Sequence, residues 1–98
     1  MNIWSQCLAD IVYYDNAYAC TEDIGYQVRL EGDELVLTYE DREGPVEYRG
    51  KEQGAGHFWL YCPERKGVAT LHRFPDGNIL EGYWIERGCR GMWRITLE

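Results

Sequence analysis

Hydrophobic residues recur along this chain in two different periods. Over residues 3–12, Ile3, Trp4, Cys7, Leu8, Ile11 and Val12 fall at i, i+1, i+4, i+5, i+8 and i+9, the spacing that gathers side chains on one face of a helix. Asn2 is placed to cap that helix, and Tyr13, Tyr14, Asp15 and Asn16 form its exit. The pattern therefore predicts one amphipathic N-terminal helix within residues 1–16. Its β-branched and aromatic content leaves a strand as the competing assignment.

From residue 24 the period becomes two. Ile24, Tyr26, Val28 and Leu30 alternate with Gly25, Gln27 and Arg29, and Leu35, Leu37 and Tyr39 alternate with Val36, Thr38 and Glu40. Glu31-Gly32-Asp33 and the run from Asp41 to Pro45 read as turns. Further strands are predicted at 46–49, 57–62, 68–74, 79–86 and 92–97, separated by 63–67, the Pro75-Asp76-Gly77-Asn78 turn and 87–91. About seven strands in sequence favour an antiparallel meander, and closing a meander into a barrel removes its exposed edges. The expected fold is mainly β: one small barrel, with the N-terminal helix docked on it.

Alternation also sorts side chains onto two faces. Phe58, Leu60 and Cys62 oppose His57, Trp59 and Tyr61; Ala69, Leu71 and Arg73 oppose Val68, Thr70, His72 and Phe74. Leu80, Gly82 and Trp84 oppose Ile79, Glu81, Tyr83 and Ile85, while Trp93, Ile95 and Leu97 oppose Met92, Arg94 and Thr96. A face that mixes rings with polar tips suits a ligand with flat apolar and charged parts. Rings stack on nucleobases for about 1–3 kcal/mol per base, and arginine pairs with phosphate through two parallel hydrogen bonds. The residues able to make such contacts are His57, Trp59, Tyr61, Thr70, His72, Arg73, Tyr83, Arg87 and Arg94. The plainer alternative is that these aromatics pack with their polar tips satisfied and that Arg73 and Arg94 are solvated. A binding function requires the rings and guanidinium groups to converge on a single concavity.

Composition narrows the function further. Ninety-eight residues make one domain, and a hydrophobic share of 45% supplies a core. The net charge of -7 excludes a general nucleic-acid binder, which needs the opposite sign. The charge is uneven: residues 1–49 hold 11 acids and 3 bases, a net of -8, and residues 50–98 hold 6 acids and 7 bases, a net of +1. An anion site therefore belongs in the second half. No apolar run has a membrane span's length, and Met1 to Tyr14 carries Asp10 and no Lys or Arg, unlike a secretory signal. The expected location is the cytoplasm, with Cys7, Cys20, Cys62 and Cys89 as reduced thiols. A zinc site from His57, His72, Cys62 and Cys89 has no recognised ligand spacing, so no metal is expected. No phosphate-cradling loop or GxGxxG run is present, no motif frames a Cys–His pair, and no cofactor or catalytic activity is expected.

One pattern in the second half is familiar. Tyr48-Arg49-Gly50, Gly56-His57-Phe58, Gly67-Val68-Ala69-Thr70-Leu71, Leu80-Glu81-Gly82-Tyr83-Trp84 and Gly91-Met92-Trp93-Arg94-Ile95-Thr96-Leu97 follow one another. This is similar to the last strands of small calycin-like barrels. It most resembles the receptor barrel of bacterial anti-phage (CBASS) effectors that carry two transmembrane helices. The resemblance covers about half the chain and implies a barrel that binds a cyclic di- or oligonucleotide signal. Tyr48, Thr70, Tyr83 and Arg87 stand at or beside matching positions. The chain departs from the family in lacking the membrane helices. A receptor without an output element would sequester the signal, as a viral anti-defence sponge does, or report to a partner.

The reading that emerges is a binding protein for a small nucleotide-type ligand, without turnover, membrane or long nucleic acid. The alternative is an acidic inhibitor whose first half, with Glu31, Asp33, Glu34, Glu40, Asp41, Glu43 and Glu47, occupies a basic surface on a protein partner. Small barrels also pair through an edge or a face, so a homodimer is among the expected assemblies.

Overall fold

The computed structural model describes residues 2–14 and 20–98, with backbone alone for 20–22. Eight antiparallel strands follow one another around a closed barrel: β1 (Asn2–Tyr13), β2 (Cys20–Glu31), β3 (Glu34–Asp41), β4 (Gly44–Gly54), β5 (His57–Cys62), β6 (Gly67–Arg73), β7 (Ile79–Glu86) and β8 (Cys89–Thr96). A single 3-10 turn, Pro63–Arg65, joins β5 to β6. The mainly β, closed antiparallel meander expected from the alternation is present, with eight strands in place of seven.

The additional strand is the segment expected as a helix. No α-helix occurs among the described residues. β1 pairs with β2 on one side and with β8 on the other, so it closes the barrel. The misleading period has a local cause. The β1–β2 register shifts between Trp4 and Cys7, so the core-facing positions run Trp4, Cys7, Ala9 and Ile11, a step of three followed by steps of two. A step of three followed by a step of four, Trp4 to Cys7 to Ile11, is what a helix face looks like on paper. Asp15 and Asn16, the expected helix exit, lie outside the described residues.

The barrel centre is aliphatic and filled. Val28, Leu35, Leu37, Leu60, Leu71, Leu80 and Ile95 are fully buried, each worth about 1.5–3 kcal/mol relative to exposure. Aromatic side chains lie toward the two ends. At one end, which we call the base, Arg73 stands over the Trp4 ring at 5.3 Å and donates from Nε to the Gly77 carbonyl at 2.7 Å. The other end, the mouth, carries the 41–44, 62–66 and 86–89 connections.

One irregularity in the wall is built by glycine. A Cβ on Gly82 would run into the Thr70 carbonyl oxygen. With that space free, the Thr70 carbonyl accepts from the Trp93 indole at 3.2 Å. The Thr70 hydroxyl then takes the neighbouring Tyr83 backbone N–H, also at 3.2 Å. A side-chain oxygen thus replaces a backbone acceptor for the Tyr83 N–H.

Candidate functional site

Strand alternation and register together place seven of the ten candidate residues on one outer wall. His57, Trp59 and Tyr61 project from β5, Thr70 and His72 from β6, Tyr83 from β7 and Arg94 from β8, all opposite the inward Phe58, Leu60, Ala69, Leu71, Leu80, Trp84, Trp93 and Ile95. The other three lie elsewhere. Tyr48 is in the interior with its hydroxyl donating to Glu86. Arg73 is at the base, against Trp4, and lines the groove that opens beside His72. Arg87 is at the mouth, bound to both Glu43 carboxylate oxygens at 2.9 and 3.0 Å. The ten do not surround one concavity, because the centre that would have held it is filled by leucine side chains.

The wall is ordered in rows. His57 faces His72, His72 faces Glu81, Glu81 faces Arg94 and Arg94 faces Asp10. One step along the strands, Trp59 faces Thr70, and Tyr83 faces Met92, which faces Val12. A charged row therefore runs beside an apolar, aromatic row, two residues or about 7 Å apart along each strand. In the first row the two imidazoles are 3.1 Å apart, and Arg94 Nε lies 3.5 Å from Glu81. In the second, the Trp59 and Tyr83 rings meet edge to face at 6.4 Å, with Trp59 44% exposed. Thr70 is buried, so its role in the row is structural. Beside His72 and Glu81 a groove of about 690 Å3 opens, bounded by Gly56, Phe74, Pro75 and Ile79. The charged row and the groove share the His72–Glu81 boundary.

A second concavity lies at the mouth. Ile11, Tyr13, Tyr39, Tyr48, Trp84, Glu86, Cys89 and Trp93 enclose a pocket of about 130 Å3. The sequence sets Trp84 and Trp93 each on one face of its strand, but nothing in it says that these eight positions meet at one end. Tyr13 and Trp84 pack edge to face at 4.9 Å, as do Tyr48 and Trp93 at 5.5 Å. Gly67 makes room for Tyr48, since any side chain there would strike its ring. Burial and the hydrogen bond to Glu86 push the Tyr48 phenol well above its ordinary range. Burial, then the charges of Glu86 and Asp41, do the same for Tyr39, with Arg65 pulling the other way. Both phenols stay protonated in a negative field.

The rim of the mouth is an ion-pair network. Buried Arg65 makes a bidentate contact with Asp41 at 2.7 and 2.9 Å and reaches Glu43 at 3.5 Å and Glu86 at 3.8 Å. Hydrogen bonding to Arg65 lowers the Asp41 carboxyl from its ordinary 3.8 to about 2. The acidic residues of the first half divide between the ends of β3. Glu31, Asp33 and Glu34 flank the turn toward the base, whereas Asp41 and Glu43 stand at the mouth. Several are already paired, including Glu34 and Glu47 with Arg49 at 3.6 and 3.2 Å.

Cys7 and Cys62 are buried free thiols whose pKa values are raised by burial, and Cys89 is an exposed free thiol. The Cys20 side chain lies outside the described residues. His57 and His72 partner each other, and the Cys62 thiol contacts the Glu64 carboxylate at 3.9 Å. Among the described residues no group of three or more His, Cys, Asp or Glu side chains is arranged to hold a metal ion, and no helix is long and apolar enough to cross a membrane. The chain matches no protein-family model. No curated protein is similar to it in sequence.

Proposed function

We propose that this barrel binds, without turning it over, a small ligand that joins a flat aromatic part to an anionic part, of nucleotide type. The contact surface is the outer wall of β5–β8 and the groove beside His72. The observation that carries the reading is the adjacency of the two rows. Trp59 offers exposed ring surface beside the half-buried Tyr83 ring, and His57, His72 and Arg94 offer donors one step away. A phosphate oxygen arriving at the imidazole pair would accept ring N–H hydrogen bonds in place of the one the two rings share, and hydrogen bonds to an anionic acceptor are the stronger ones. The resemblance of residues 48–97 to receptor barrels for cyclic oligonucleotides supports the same ligand class. A barrel of this kind would sense or sequester such an immune signal.

The overall charge of -7 opposes an anion only at long range. Screening confines that repulsion to about 8 Å at physiological salt, and residues 50–98 carry a net of +1. The test is a thermal-shift screen against cyclic mono-, di- and trinucleotides. A tight ligand raises the melting temperature by mass action. Trp59→Ala should remove one stacking contact, weakening binding by about 1–3 kcal/mol, and His72→Ala should weaken it through the anion. No shift with any nucleotide at saturation would overturn the proposal. It would then leave the exposed Trp59, Tyr61, Ile85 and Met92 as a surface for a second copy of the chain, which sedimentation would detect.

A further inference from the structure

The mouth pocket has a chemistry opposite to that of the outer wall. Among the described residues eight line it, of which five are aromatic, one is a carboxylate and none is basic. The ring N–H groups are already used: Trp84 donates to the Met92 carbonyl at 3.3 Å and Trp93 to the Thr70 carbonyl at 3.2 Å. With neither indole N–H left to donate, this lining offers an anion no ring donor, whereas aromatic rings attract positive charge through their π electrons. Tyr48 spends its proton on one Glu86 oxygen, leaving the other carboxylate oxygen 3.8 Å from Arg65, too far for a hydrogen bond. The rim network holds three carboxylates, Asp41, Glu43 and Glu86, against two guanidinium groups, Arg65 and Arg87. An anion entering here would meet ring faces and Glu86; a cation would meet both favourably.

We infer that the mouth pocket is a binding site for a small organic cation, an alkylammonium head group held against the Tyr39, Trp84 and Trp93 rings and countered by Glu86. The volume of about 130 Å3 suits a compact head group and excludes a nucleotide. The site is independent of the outer-wall proposal, since the two share no side chain. The head group could be carried by a free small molecule or by a methylated lysine side chain.

The four indole N–H signals allow a direct test by NMR. Titration with choline, and separately with N-acetyl-trimethyllysine amide, should shift the Trp84 and Trp93 signals and leave Trp59 in place. Glu86→Gln keeps an acceptor for the Tyr48 hydroxyl but removes the charge, and should weaken binding about tenfold. Tyr39→Leu should weaken it similarly by removing a ring. Tighter binding of the lysine derivative assigns the head group to a protein side chain, and tighter binding of choline to a free molecule. No movement of Trp84 or Trp93 with either cation would overturn the inference. So would undiminished affinity in both variants, or equal movement of these signals with inorganic phosphate.

Discussion

Arg65 is the least exposed charged residue among those described, and its position at the mouth makes the rim pH-sensitive through Asp41. The Asp41 carboxyl is lowered in the folded chain, from 3.8 to about 2. A depressed acid stabilises the fold above its unfolded pKa, and that contribution is lost as pH falls through the folded value. The loss therefore belongs to the window between about 4 and 2. Asp41 is partly exposed, so solvent screening reduces its contribution. Asp41→Asn should lower the melting temperature by a few degrees near pH 7 and should melt like the parent chain below about pH 2. Thermal melts across that range check both. An equal deficit at every pH would show that the carboxylate's charge is not what holds Arg65.

At the scale of the strands, alternation made the second half legible because nothing interrupts it. The inward and outward sets of β5 to β8 follow directly from residue spacing, and the buried residues agree with them. β4 runs from Gly44 to Gly54, longer than its 46–49 signal, because its end, Lys51-Glu52-Gln53, is exposed and carries no hydrophobic marker. The β7–β8 turn is tighter than its glycines suggest: Arg87 and Gly88 both take positive φ, so β8 starts at Cys89. β1 was not legible as a strand because a register shift puts two residues, Ser5 and Gln6, between the core positions Trp4 and Cys7. Only the need to fill the gap between β2 and β8 decides it. Ladder pairing on both sides should protect the Ala9 to Val12 amides from hydrogen exchange, as in a central strand. Exchange as fast as in a fraying terminus would contradict closure through β1.

For the whole molecule, closure explains why the site was only half legible. Spacing identified which residues share a face, and His57, Trp59, His72, Tyr83 and Arg94 do share one. Spacing does not say which face turns inward when both carry rings. The leucines of β3 and β5 to β7 fill the centre, so the mixed face became the outside. The same closure separates two chemistries, an aromatic wall with donors along β5–β8 and an aromatic, negatively charged mouth between the barrel ends of β1, β3, β7 and β8. The mouth could not be foreseen, since its parts come from strands far apart in sequence and its counter-ion, Arg65, sits in a turn.

The most direct measurement is a chemical-shift map of the chain titrated with a cyclic dinucleotide. Binding on the outer wall moves the Trp59 indole and the backbone amides of His57, Thr70, His72 and Tyr83, while Trp84 and Trp93 at the mouth stay still. Shifts confined to the mouth, or none at saturating nucleotide, would contradict it.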